Sequence, residues 1–252
     1  MGTLFIVATP IGNLSDITHR ALQTLREADV IACEDTRHTV KLLNHFGIQK
    51  PMVSYHEFNE EEKAEELARQ LSGTTTIALV SDAGTPAIAD PGYRLVRLCR
   101  QRGIRVIAIP GPVAAVTALS ASGLPSNEFM FLGFLPSKQN GRRAKLTAVA
   151  NVMCTLVFYE APHRIQAALE DIQELLGDRE ACVAREITKV HEEFLFGKLS
   201  EIRPQVKPIG EFVVVVGGAT EIRATAPPTR EEVLKKLGMT RNELYDLFFK
   251  NR

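Results

Sequence analysis

With 252 residues, 45% hydrophobic and 24% charged, the chain has the make-up of a folded globular protein and the length for two modest domains or one large one. Its 30 Lys+Arg balance 30 Asp+Glu, a formal net charge of zero, which excludes a protein that coats polyanions by bulk charge and leaves room for a local basic site. No apolar run approaches the roughly 20 residues of a membrane helix, and the start, MGTLFIVATPIGN, lacks the basic and cleavable regions of a signal peptide, so a cytoplasmic protein with no membrane partner is expected.

In chain order, apolar runs at 4–9, 29–33, 76–81 and 105–110 suit strands buried on both faces. Helical patterns separate them: Ile17 to Arg26, Thr39 to Phe46, Glu60 to Leu71 with an acidic first turn, and Tyr93 to Arg102 stopped by Gly103. This alternation predicts an α/β fold with a mostly parallel sheet. The rhythm changes at Gly123-Leu124-Pro125, a boundary that divides an N-terminal α/β domain (1–124) from a second one (125–219). Strands are expected there at 129–135, 154–160, 181–186, 192–197 and 211–218, with helices near Lys145 and from His163 to Leu176. The hairpin-like spacing between the third and fourth of these strands predicts a mixed sheet. Beyond a Pro-Pro loop, two short helical patterns predict a C-terminal helical extension over 220–252. The four cysteines, Cys33, Cys99, Cys154 and Cys182, are widely spaced with no C-x-x-C pair, which points to free thiols and to no metal site.

Ligands of open α/β sheets bind where strands end, so the residues after each apolar run carry the functional information. Thr9-Pro10-Ile11-Gly12-Asn13, the stretch Asp82 to Gly92 and Gly111-Pro112-Val113-Ala114-Ala115 each combine Gly or Pro with small side chains, which lets a ligand reach the main chain. None matches G-x-G-x-x-G, and no G-x-x-x-x-G-K-[ST] occurs, so the usual dinucleotide and P-loop readings lose their support.

The ordered series TPIGNLSDIT (9–18), EDTRHT (34–39), SDAGTPAIADPG (81–92), PGPVAAVTALSASGLP (110–125), FLPSK (134–138), FYEAPHR (158–164) and REITKVHEE (185–193) resembles the bacterial ribosomal RNA small-subunit ribose-2'-O-methyltransferase I family, a branch of the tetrapyrrole methylase superfamily. The match runs from about residue 3 to 218. The resemblance implies a two-domain tetrapyrrole-methylase-like fold, usually in a homodimer, with S-adenosylmethionine as methyl donor in the cleft. It implies a decoding-centre cytidine of 16S rRNA, in the assembled small ribosomal subunit, as substrate. Carried over residue by residue, the donor pocket would comprise Ile11, Asp82, Thr85, Ile88, Val113, Ala114 and Ala115, closed by Tyr159 and Glu211. Where many relatives have Gly-Asp-Pro this chain has Gly84-Thr85-Pro86, so Asp82 is the candidate to replace the missing carboxylate. The C-terminal extension is also shorter than in many members.

Methyl transfer to a ribose hydroxyl is an in-line displacement that gains from alignment and from a group that handles the hydroxyl proton. Candidate catalytic residues are Glu186, Lys189 and Glu34, drawn from charged clusters equally readable as salt-bridged networks. Strand alternation past ACVAR would put Arg185 and Ile187 on one face and Glu186 and Thr188 on the other. For RNA, Lys138, Arg142, Arg143 and Lys145 form an acid-free segment with Gln139-Asn140-Gly141 as a hinge, a loop able to pair with phosphates, and Arg37 extends the set. Two other readings compete: a methyltransferase for a small tetrapyrrole, against which the EDTR and SDAGTP motifs count, and a non-catalytic RNA-binding or ribosome-assembly module, which would not bind the donor.

Overall fold

The apolar runs of the first half all become strands in the computed structural model, which describes residues 2–221 together with Thr240. The helical extension expected over 220–252 lies, past its first residues, outside the described residues. Strands β1 (Thr3–Val7), β2 (Val30–Cys33), β3 (Met52–Ser54), β4 (Thr76–Val80) and β5 (Arg105–Ile109) pair only in parallel, in the order β3-β2-β4-β1-β5. Helices α1 (His19–Glu27), α2 (Thr36–His45), α3 (Glu60–Leu71) and α4 (Tyr93–Gln101) fill the crossovers. Both faces are therefore covered: Leu4, Ile77, Leu67, Leu71 and Leu95 pack on one side, and Leu25, Ile31, Leu43 and Val80 on the other. That is why these strands read as unbroken apolar runs.

Two local departures from the expected pattern have simple causes. Helix α2 begins at Thr36, a turn before the expected Thr39, because the Asp35 carboxylate accepts the Arg37 N–H at 2.8 Å and caps the helix. Strand β3 is a three-residue, half-buried edge strand beside β2, too short to leave an apolar run.

The second half contains α5 (Ala114–Ala121), β6 (Phe129–Phe134), α6 (Gln139–Ala148), β7 (Thr155–Glu160), α7 (Ile165–Leu176), β8 (Glu180–Arg185), β9 (Glu193–Lys198), the single-turn α8 (Leu199–Ile202) and β10 (Phe212–Val216). Its sheet runs β6-β7-β10-β8-β9, with β6 parallel to β7 and the other pairs antiparallel, so it is mixed as the spacing predicts. Along β10 the valines alternate faces. Phe212, Val214 and Val216 join Leu146, Leu169 and Ile172 of α6 and α7, whereas Val213 and Val215 join Ala115, Ala118 and Leu119 of α5. Helix α5, made almost wholly of small and apolar residues, leaves no amphipathic signature, and the sequence reading passed over it.

The segment read as a mobile basic loop is the helix α6, which corrects that expectation. Its apolar Leu146 is buried, and Arg142 is buried with it. All of these elements belong to one compact unit ending at Ala219.

Candidate functional site

The chain leaves β1 toward β2 on one side and leaves the adjacent β4 toward β5 on the other, so a topological switch point lies at the carboxyl ends of β1 and β4. The three strand exits are stitched together there. Thr9 and Gly84 exchange main-chain hydrogen bonds at 2.8 and 3.1 Å, and the buried Thr9 hydroxyl donates to the Ser81 carbonyl at 3.1 Å. The Thr85 hydroxyl donates to the Pro112 carbonyl at 3.2 Å, tying the β4 exit to the β5 exit. Across the gap, the Tyr159 hydroxyl of β7 accepts the Ala115 N–H at 3.2 Å. Helix α5 has no side-chain cap of its own, so a side chain of the second sheet satisfies one of its free amides.

Between these exits and the second sheet lies a cavity of about 420 Å³, within the roughly 300–1,000 Å³ usual for small-molecule sites. Of the residues the resemblance assigns to a donor pocket, Ile11, Asp82, Thr85, Ile88, Val113, Ala114, Tyr159 and Glu211 line this cavity. Ala115 does not: it is buried behind the wall, and its contribution is the N–H held by Tyr159. Sequence reasoning missed Asp90, Phe134, Ile187 and Phe212 in the lining, and offered Glu160 only as part of the charged cluster Tyr159-Glu160 with His163-Arg164, not as a pocket residue. Phe134 and Glu160 stand inside the FLPSK and FYEAPHR motifs, so the signal that could have found them was present. Tyr159 is clasped edge-on by Phe131 and Phe134 at 4.9 and 5.5 Å between ring centres, and burial raises its hydroxyl pKa. The buried Glu160 accepts the Ala161 N–H and pairs with Arg164 at 2.8 Å through Oε1, while its Oε2 has no hydrogen-bond partner.

A charged knot closes one edge. Lys189 Nζ lies 2.9 Å from both Glu186 Oε1 and Glu211 Oε2, and Glu186 Oε1 also accepts the Glu211 N–H at 2.9 Å. Burial opposes ionisation of Glu186, but Lys189 and that amide prevail and hold its carboxyl below the ordinary range. The expected strand alternation does not continue here, because β8 ends at Arg185 and both Glu186 (φ 52°) and Thr188 (φ 66°) are left-handed. Glu186 and Lys189 therefore meet, Ile187 enters the cavity wall, and Arg185 turns to Glu193 at 3.0 Å. Two glycines make room: a Cβ on Gly12 would stand 2.4 Å from Lys189 Cγ, and one on Gly210 2.5 Å from Glu186 Cγ.

Elsewhere around the strand exits, the carboxylates of Glu34, Asp82 and Asp90 lie close enough to act on one another. Asp82 Oδ1 accepts the Asp35 N–H at 3.2 Å. Glu34, at the end of β2, is outside the cavity lining; burial, then the Asp82 charge, raises its pKa. Asp90 lines the cavity, and burial, then the charges of Glu34 and Asp82, push it up to about 6.

The basic residues expected to meet RNA divide. Arg142 is buried and its Nε lies 2.7 Å from Asp171 Oδ2, so its guanidinium is spent inside the fold. Arg143 bridges Asp171 at 2.8 Å and Glu174 at 2.6 Å, and Lys145 donates to the Leu132 carbonyl at 2.7 Å. Only Lys138 and Arg37 of that set present their charges outward, and Arg37 does so while paired with Asp35 at 2.7 Å. That Arg37 pairing holds the Asp35 carboxyl at about 2.

The description "Tetrapyrrole (Corrin/Porphyrin) Methylases" belongs to the family model that matches residues 3–203. A ribosomal RNA small subunit methyltransferase I of Halalkalibacterium halodurans is 53% identical over 223 residues, 87% of this chain and 77% of the relative. Its namesake in Escherichia coli O157:H7 is 49% identical over 249 residues, 96% of this chain and 86% of the relative. Among solved structures, the methyltransferase CobJ is similar with a TM-score of 0.66 at 18% identity, covering 89% of this chain and 98% of that one. Uroporphyrin-III C-methyl transferase from Thermus thermophilus, complexed with S-adenyl homocysteine, gives 0.61 at 21% identity over 86% and 97%. At these identities the structural likeness is one of fold.

Proposed function

The chain belongs to the tetrapyrrole (corrin/porphyrin) methylase family, and within it to the ribosomal RNA small subunit methyltransferase I proteins; on that premise we propose that it methylates the ribose 2'-hydroxyl of a decoding-centre cytidine in 16S rRNA, with S-adenosylmethionine as donor. The observation that carries the donor site is the convergence of the three stitched strand exits with Tyr159 and Glu211 on a single cavity. The residues fit that donor: the walls are mostly apolar, and the unpartnered Glu160 Oε2 is a buried acceptor for one of its N–H or O–H groups. When bound, the donor supplies an electrophilic methyl group on a positively charged sulfur.

The protein's part is to bind, align and keep out water. Ile11, Ile88, Val113 and Phe134 give the site apolar walls, and the Thr9, Gly84 and Thr85 hydrogen bonds fix the floor on which alignment depends. The Glu186, Lys189 and Glu211 knot holds the loop after β8 against the cavity edge, which makes Glu186 and Lys189 positioning residues in this reading. Lys138 and Arg37 are the outward charges offered to RNA phosphates. We extend the reading to an assembled small subunit as substrate, to a homodimer that covers the exposed Phe129 and Met130 of the edge strand β6, and to a cytoplasmic location, where that substrate is found. Among the described residues no helix is long and apolar enough to cross a membrane.

The test is transfer of labelled methyl from the donor to small subunits isolated from a strain lacking the enzyme, followed by nuclease mapping. Label on one cytidine ribose, protecting the adjacent phosphodiester from alkali, is the expected result. Label on a base overturns the reading.

A further inference from the structure

A 2'-hydroxyl must lose its proton as it is methylated, and the cavity contains few groups free to take one. Glu211 is paired with Lys189, which also holds Glu186 outside the lining, and Glu160 is paired with Arg164 through Oε1 while its Oε2 is the acceptor assigned above to the donor. Asp82 receives the Asp35 N–H. Asp90 lines the same cavity, and no ion pair to it occurs among the described residues. The groups that act on it are the carboxylates of Glu34, from the end of β2, and Asp82, from the β4 exit, together with the Ser81 hydroxyl; Tyr159 of β7 senses its charge from the second sheet.

The backbone that presents Asp90 is unusual. Ala87 (φ 68°) and Ala89 (φ 63°) are both left-handed, although neither is a glycine, in a loop that closes on Gly92 (φ 147°). A side chain on Gly92 would press on Ala87 Cβ at 2.9 Å and Leu79 Cδ2 at 3.1 Å, so this loop is held against the sheet in one shape. Strain of this kind survives where the surroundings dictate a geometry.

Building on the ribose reading above, we infer that Asp90 is the catalytic base that accepts the 2'-hydroxyl proton. The hydroxyl oxygen forms its bond to the methyl carbon as the carbon–sulfur bond breaks, and the electron pair of that bond stays on sulfur, which becomes neutral. The O–H proton passes to an Asp90 carboxylate oxygen and later leaves to water. An acid of pKa about 6 is ionised at neutral pH, yet it is a stronger base than an ordinary carboxylate, as proton abstraction near pH 7 requires. Glu34 in this scheme is a positioning residue: its charge tunes Asp90 without touching the ribose.

The experiment compares wild type, Asp90→Asn, Asp90→Glu and Glu34→Gln in single-turnover methylation of small subunits across pH 5–9, with donor affinity by calorimetry and the carboxyl titrations of the donor-free protein by NMR. D90N is expected to lose about 100-fold or more in rate, the usual contribution of a positioned base, with donor affinity within about twofold of wild type. D90E recovers part of the rate. In the donor-free protein a carboxyl titrating near pH 6 disappears in D90N. In E34Q the same titration moves to lower pH, and the acid limb of the rate profile moves with it. Wild-type rate and profile in D90N overturn the assignment, as does a loss of donor affinity matching the loss of rate. If D90N fails to fold, an unmoved acid limb in E34Q overturns it alone. Label on a base in the wild-type reaction overturns the ribose reading whatever D90N does, whereas label on the ribose with an unaffected D90N overturns only the role of Asp90.

Discussion

Replacing Asp171 with alanine tests the claim that Arg142 belongs to the interior and not to an RNA surface. The two side chains are 5% and 3% exposed, so the truncation leaves a guanidinium buried without a counter-charge. Breaking a buried pair in this way costs about 3–5 kcal/mol. At the roughly 2–4 °C per kcal/mol of a chain this size, the melting temperature should fall by roughly 6–20 °C. Arg143→Ala is the internal control, because it removes a partly exposed guanidinium with its bridges to Glu174 and Asp171 and leaves the 2.7 Å Arg142–Asp171 contact intact, so the Asp171 carboxylate keeps a cation. Its cost should be about 1 kcal/mol or roughly 2–4 °C. The double variant Arg142→Met with Asp171→Leu removes both charges and should recover most of the loss, since apolar replacements of buried pairs are often neutral. Scanning calorimetry reads all three. Equal small shifts for D171A and R143A, or a double variant as unstable as D171A, would refute the reasoning.

Lys138→Ala combined with Arg37→Ala should weaken binding to small subunits and lower its salt dependence by about one charge per lost phosphate contact, while the melting temperature and donor affinity hold; an unchanged salt slope in filter binding removes these residues from the interface. Tyr159→Phe keeps the ring contacts but leaves the Ala115 N–H without its acceptor, so the melting point should drop by the equivalent of about 0.5–1.5 kcal/mol, and no change in calorimetry shows that the cross-sheet cap is idle. Gly12→Ala should displace Lys189 from Glu186 and Glu211; a matching loss of donor affinity in G12A and Lys189→Met is expected, and full affinity in both disconnects the knot from the site. Asp90→Asn should also stabilise the protein at pH 8 but not at pH 4. Its folded value of about 6 lies above the unfolded 3.8, so wild type loses stability as the pH rises between the two. A melting-point difference that does not grow over that window contradicts the raised value.

What was legible follows the physics of each signal. Strands covered on both faces leave unbroken apolar runs, so β1, β2, β4 and β5 stood out, as did β10 of the mixed sheet, and with the first four the exits that line the cavity. Helix α5 left no trace because Ala114 to Ala121 carries no charge and only Thr117 and Ser120 as polar residues, too few to mark a polar face. The basic segment 138–145 misled because charge marks a surface only when its partners are distant: Asp171 and Glu174, which neutralise Arg142 and Arg143, arrive from α7, about thirty residues on. The alternation rule failed after Arg185 because two non-glycine residues take left-handed conformations there, which no residue pattern announces. Asp90 stood within a quoted motif, but its distinction depends on which carboxylates the fold gathers around it.

The hydrogen bonds from Thr9 to Gly84 and from Thr85 to Pro112 carry a thermodynamic meaning for ligand capture. Three loops of separate origin are fastened to one another within the folded chain, so their freedom is surrendered during folding and is not lost again at the encounter with a ligand. Binding should therefore carry a small ordering penalty on this side of the cavity. Thr85→Val, which keeps the shape and removes the fastening to Pro112, shifts that penalty from the folding reaction to the binding reaction, a transfer visible as a less favourable binding entropy.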